Sequence, residues 1–168
     1  MKNKTSWLAA LALAALALPT LAQGPTSDEK NLTLDGAKSV LAAAISAAKS
    51  DDAKTGAIAV VDRSGNLIAL ERLDGTFPAA AQVATGKART AALFQKATRN
   101  FEESINKGRT ALVAVEGMTP LKGGVPVLIE GKVVGAVGVS GAASQDRDDE
   151  IASAGAAAFS ASGSPAGR

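Results

Sequence analysis

Residues Gly117–Asp149 read GMTPLKGGVPVLIEGKVVGAVGVSGAASQDRDD, and this stretch decides the fold. Gly123 to Ser140 has the pattern of a β-hairpin bracketed by glycine-rich loops. Side chains alternate across a strand, so Val125, Val127 and Ile129 point one way. In the partner strand Val133, Gly135, Val137 and Val139 share one face, and Val134, Ala136, Gly138 and Ser140 share the other. Apolar character on both faces predicts that both are covered. The small residues predict that a helix or a ligand approaches closely. Ser144 to Glu150 (SQDRDDE) then leads into an alanine-rich helix over roughly Asp149 to Phe159.

Upstream, Ala111–Val115 (ALVAV) is a short apolar run that reads as a further strand. Before it, Asn100 with Glu103 resembles a capping box for a helix over Phe101–Asn106, with Gly108 as its stop. Ala79 to Phe94 is alanine-rich and helical, preceded by Pro78, which suits a first helical turn. Gly86 inside it implies either a close neighbour or a loose position, at about 1 kcal/mol relative to Ala. Ala57–Val61 and Leu67–Glu71 flank the turn residues Arg63-Ser64-Gly65-Asn66 and make a hairpin. Asp51 to Thr55 is a polar turn. The first helix begins at Leu34, with Thr33 as N-cap and Asp35 in its first turn. Its apolar face carries Leu34, Ala37, Leu41, Ala44, Ile45 and Ala48. The order is helix, two strands, helices, three strands, helix. An α+β fold follows, with a five-stranded antiparallel sheet flanked by helices.

The termini read differently. Lys2 and Lys4 precede the apolar run Trp7–Leu18, and Thr20-Leu21-Ala22 supplies a small-residue cleavage site. Residues 1–22 are expected to be a signal peptide, 23–31 a polar leader, 32–159 one domain and 160–168 a flexible tail. The mature protein is then periplasmic or secreted, with no membrane segment. Losing Lys2 and Lys4 from 18 basic residues balances the 16 acidic ones, so bulk charge makes no case for nucleic acid. The chain has no histidine, cysteine or tyrosine. Histidine-based acid–base catalysis, a Ser-His-Asp triad and the three common axial ligands of haem iron are therefore absent.

Three blocks carry a resemblance. They are VVDRSGNLIALERLDG (Val60–Gly75), ATGKARTAALF (Ala84–Phe94) and GGVPVLIEGKVVGAVGVSGAASQDRDDEIASAGAAAF (Gly123–Phe159). In this order and spacing the chain resembles the GlcG/HbpS family of haem-binding or haem-degrading domains, similar to the C-terminal domain of PduO-type proteins. The resemblance implies a profilin-like fold with strand order 2-1-5-4-3. It implies homo-oligomers, often large and even-numbered. Some family members bind haem, and some sit in operons for small hydroxy acids or diols.

Candidate site residues follow. Gly123 and Gly124 either offer backbone N–H groups to an anionic ligand or ease entry into a strand. Lys87 and Arg89 lie in the family-like helix but, two apart, do not share a face. Arg72 pairs with a ligand carboxylate or with Asp74. Asp146, Asp148, Asp149 and Glu150 either offer oxygens to a hard cation, though without the spacing of a calcium loop, or, as favoured, form an acidic first helical turn that offsets the dipole, with Ser144 as cap. No metal is expected. Met118 is the only thioether left after the leader, serving either as packing or as an iron ligand.

Three functions compete. The first is an exported small-ligand-binding protein, with haem or a related tetrapyrrole held by Met118, a lysine, a threonine hydroxyl or propionate contacts. The second is an isomerase- or hydrolase-type enzyme on a small carboxylate metabolite, with Glu116 or Asp146 as acid–base group and Arg89 or Lys87 holding substrate. The third is an oligomeric scaffold or sensor partner, marked by an exposed apolar patch.

Overall fold

The computed structural model describes residues 25–50 and 55–162, with side chains through Ala157. The expected signal peptide, most of the turn after the first helix and the end of the tail lie outside these residues.

Helix α1 spans Leu34–Lys49, and Thr33 caps it by accepting the Gly36 N–H at 3.1 Å. Its buried stripe is Ala37, Val40, Leu41, Ala44 and Ala48. Leu34, expected on that stripe, is half exposed at 51% because it sits in the first turn, outside the packed face.

Strands β1 (Ala57–Asp62) and β2 (Leu67–Arg72) pair antiparallel. Asp62 Oδ1 organises their turn by accepting the N–H groups of Ser64 and Asn66, both at 2.8 Å. Helix α2 (Ala80–Leu93) and helix α3 (Arg99–Asn106) follow. The expected capping box is replaced by another arrangement: Thr98 precedes α3, and its hydroxyl accepts the Gly124 N–H at 2.8 Å instead of capping the helix.

Strands β3 (Gly124–Ile129) and β4 (Lys132–Ser140) form the second hairpin. Its two-residue turn, Glu130-Gly131, has φ of 52° and 75°. Positive φ at both positions matches the right-handed twist of the strands, the geometry of a type I′ turn. Helix α4 spans Gln145–Ser162.

The described residues hold a four-stranded sheet in the order β2-β1-β4-β3. This corrects the expected five strands. Residues Thr110–Ala114 form a 3₁₀ turn where a strand was expected. The remaining four strands keep the expected relative order.

The fifth strand has nowhere to dock. Val139 N–H donates to Gly123 C=O at 2.8 Å, so the next residues outward from β4 in the alternation are Gly124 and Pro126. Gly124 gives its N–H to the Thr98 hydroxyl and its carbonyl to the Thr98 N–H, at 2.8 and 2.9 Å. Pro126 has no N–H to give. The edge is used up by α3's entry and blunted by a proline.

The sheet is covered on both faces, as expected. Ile58, Val60, Val127, Val137, Val139 and Ile151 form the larger core with α1 and α4. Full burial of each such aliphatic side chain contributes about 1.5–3 kcal/mol. The opposite face is a seam of small residues, Ala57, Ala59 and Ala136 against Ala80, Ala84 and Ala88 of α2. Val134 was expected on this second face, with Ala136. A register shift between Val127 and Leu128 leaves Val134 opposite no partner and turns it into the larger core.

Candidate functional site

The α2 seam brings one cation to the sheet. Lys87 is 2% exposed, surrounded by alanines that are short enough for it to pass. Its ammonium donates to Asp148 Oδ2 at 2.9 Å and to the Val139 carbonyl at 2.8 Å. Asp148 lies in the first turn of α4, and its other oxygen accepts the Ala142 N–H at 3.0 Å. The ion pair thus joins α2, the end of β4, the β4–α4 loop and α4.

A cleft of about 340 Å³ opens on this pair. Lys87, Ser140 and Asp148 contribute its polar floor, and Ser144 and Gln145 border it at the start of α4. Phe77, Val83 and Leu121 are its apolar walls. Its volume is at the small end of the range for small-molecule sites, roughly 300–1,000 Å³. A larger groove of about 410 Å³ runs between α1 and Glu71, but it is lined by exposed Lys38, Ser46 and Lys49, with no buried polar side chain.

The other sequence-predicted residues disperse around this cleft. Gly123 and Gly124 pack behind the ion pair. A Cβ on Gly123 would lie 3.1 Å from Lys87 Nζ, and one on Gly124 would meet the Lys87 backbone. The Gly124 N–H is committed to Thr98. Met118 is half-buried in the loop that carries Leu121, and it is not a cleft wall. Arg72 donates to the Thr76 carbonyl at 3.5 Å, beside Phe77. Arg89 lies at another end of the molecule, against the Gly65 turn. Glu116 is exposed, and Asp146 forms a solvent-facing ion pair with Lys122 at 2.7 Å. The structure therefore gathers Lys87 with Gly123 and Gly124, and leaves Arg89, Glu116 and Asp146 outside the cleft lining.

Ser140 and Asp148 line the cleft although the sequence marks Ser140 only as a strand residue and Asp148 only as part of an acidic helix start. The first three acids of α4 pair with three different elements: Asp146 with Lys122 of the loop before β3, Asp148 with Lys87 of α2, and Asp149 with Arg99 of α3 at 2.5 Å. Ser144 does cap the helix, accepting the Arg147 N–H at 3.1 Å. The run is a clasp as well as a dipole cap.

Burial raises the Asp149 carboxyl above its ordinary value of 3.8, against the opposing pull of Arg99, the Gly123 N–H and Lys122. Its Oδ1 closes no hydrogen bond of good geometry. A raised folded value means that the native state takes up the proton more readily than the unfolded chain. This stabilisation is complete below 3.8 and is lost as pH rises through the raised value. The ionised group therefore penalises the fold at neutral pH. Asp149→Asn should gain stability relative to the parent as pH rises from about 4 to 7. Urea denaturation of both proteins across that range checks it; a pH-independent difference refutes it.

Residues 32–157 match the family described as haem degrading protein HbpS-like, and the chain belongs to that family. It is 47% identical over 104 residues to Protein GlcG of Escherichia coli K12, covering 60% of this chain and 78% of GlcG. The crystal structure of a double mutant of HbpS from Streptomyces reticuli superposes with a TM-score of 0.73 at 36% identity, covering 84% of this chain and 96% of the other. A PduOC–haem complex superposes with a TM-score of 0.67 at 22% identity over 76% of this chain and 94% of the other, and shows the shared fold.

Proposed function

We propose that this protein is an exported, homo-oligomeric small-ligand-binding protein of the periplasm or the cell exterior, and that its ligand sits in the cleft over Lys87 and Asp148. The observation that carries this reading is a buried lysine on the floor of an apolar-walled cleft. Haem or a related tetrapyrrole is the ligand class suggested by the family description and by HbpS.

The donor set of the cleft does not suit an axial iron ligand. Lys87 is engaged as an ammonium and Asp148 has both oxygens committed. Met118, the remaining thioether, is outside the lining. What the cleft offers a tetrapyrrole is a partner for a carboxylate. The enzyme reading is less well supported, because the cleft collects none of Glu116, Asp146 and Arg89. The scaffold reading draws on the exposed apolar residues Val113, Leu93 and Phe94, at 67%, 47% and 43%.

Hemin titrated into protein purified after export should give a saturable Soret shift at one equivalent per chain, with the same stoichiometry by native mass spectrometry. No shift at equimolar protein sinks the haem version. The oligomer is read in the same spectrum.

A further inference from the structure

We infer that the cleft recognises a carboxylate on a short aliphatic arm, an inference that rests on the ligand-binding reading above. The floor is rich in donors whose partners are missing. Lys87 has three ammonium N–H groups, of which Asp148 and the Val139 carbonyl take two. Ser140 is 4% exposed, lines the cleft, and its hydroxyl has no partner among the described residues. Gln145 borders the cleft and adds a side-chain amide that can donate. The Asp148 carboxylate already takes one hydrogen bond on each oxygen, from Lys87 and from the Ala142 N–H.

A donor-rich floor selects an acceptor-rich group, and the third N–H of the Lys87 ammonium favours a negative one. The walls select the rest. Phe77, Val83 and Leu121 surround a volume of about 340 Å³, which suits a chain of a few methylenes. An amine would put a second cation beside Lys87. Two sources supply this chemistry: a free short-chain organic acid, or the propionate arm of a tetrapyrrole.

The experiment uses the exported protein with four probes: butyrate, n-butylamine, hemin and hemin dimethyl ester. Isothermal titration should show butyrate binding and no butylamine binding. Ser140→Ala, which spares the ion pair, should weaken butyrate by about tenfold, the loss of one hydrogen bond to a charged group. Val83→Phe, which fills the cleft, should abolish it. If the arm belongs to a tetrapyrrole, hemin displaces butyrate and the dimethyl ester binds at least about tenfold more weakly; if it belongs to a free acid, hemin leaves butyrate in place. Equal binding of butyrate and butylamine, or butyrate binding unchanged in Val83→Phe, overturns the inference. Hemin that binds as well as its ester, with no butyrate binding, overturns the carboxylate inference and leaves the ligand-binding reading standing. No binding of any probe overturns both.

Discussion

Lys87→Met should cost the fold about 3–5 kcal/mol, the scale for breaking a buried ion pair from one side. The methionine fits the alanine seam as well as the lysine stem did, so the loss is electrostatic. Asp148 is 4% exposed and would be left with only the Ala142 N–H beside it. The Val139 carbonyl would lose a donor as well. The double variant Lys87→Met with Asp148→Asn should recover most of the loss. Asparagine still accepts the Ala142 N–H, and no unpaired charge remains. Urea denaturation of the single and double variants completes the cycle. If both single and double variants lose equal stability, the pair is not what holds α2 to α4. A rescued double variant that has also lost butyrate binding would tie stability and recognition to the same lysine.

Much of this architecture is legible in the chain. Thr33 announces α1, and the Gly65 turn announces the first hairpin. The Gly123–Ser140 stretch announces the second, because local chemistry is sufficient there: caps and tight turns are decided by residues a few positions apart. The failures are non-local. Ala111–Val115 is apolar enough for a strand, but its fate depends on Thr98 and Pro126, which close the edge that it would need. Val134 alternates correctly by count and is moved by a bulge that no local pattern marks. At the site, Lys87 is visible as a candidate. Its partner is one of four acids within five residues, and only packing distinguishes Asp148, turned toward α2, from Asp146, turned toward Lys122 and solvent. Ser140 looks like the last residue of a strand, and its value comes from the cleft it happens to line.

Gly138→Val should be the most damaging single change at the sheet, at roughly 3 kcal/mol or more. The glycine in β4 lies directly beneath α2. A Cβ there would fall 2.6 Å from the Ala88 nitrogen and 2.9 Å from its Cβ, and would meet the Ala84 carbonyl as well. These are helix backbone atoms and a methyl with no rotamer to change, so α2 itself must lift. Lys87 travels with it, because its own backbone rests on Gly124, where a Cβ would come within 2.8 Å of the Lys87 carbonyl carbon. The variant should therefore loosen the ion pair that floors the cleft, with no charged residue altered. Hydrogen exchange of the α2 amides should accelerate along with the loss of stability. Gly131→Ala supplies the contrast: its Cβ meets no atom within 4 Å, and its strain is confined to φ of 75°, at about 1–2 kcal/mol. If the two variants lose similar stability and α2 exchange is unchanged, close approach of the helix is not the reason for glycine at 138. If Gly138→Val alone releases α2, the small-residue seam is what allows a lysine to reach Asp148, and the cleft is a consequence of how closely this helix lies on its sheet.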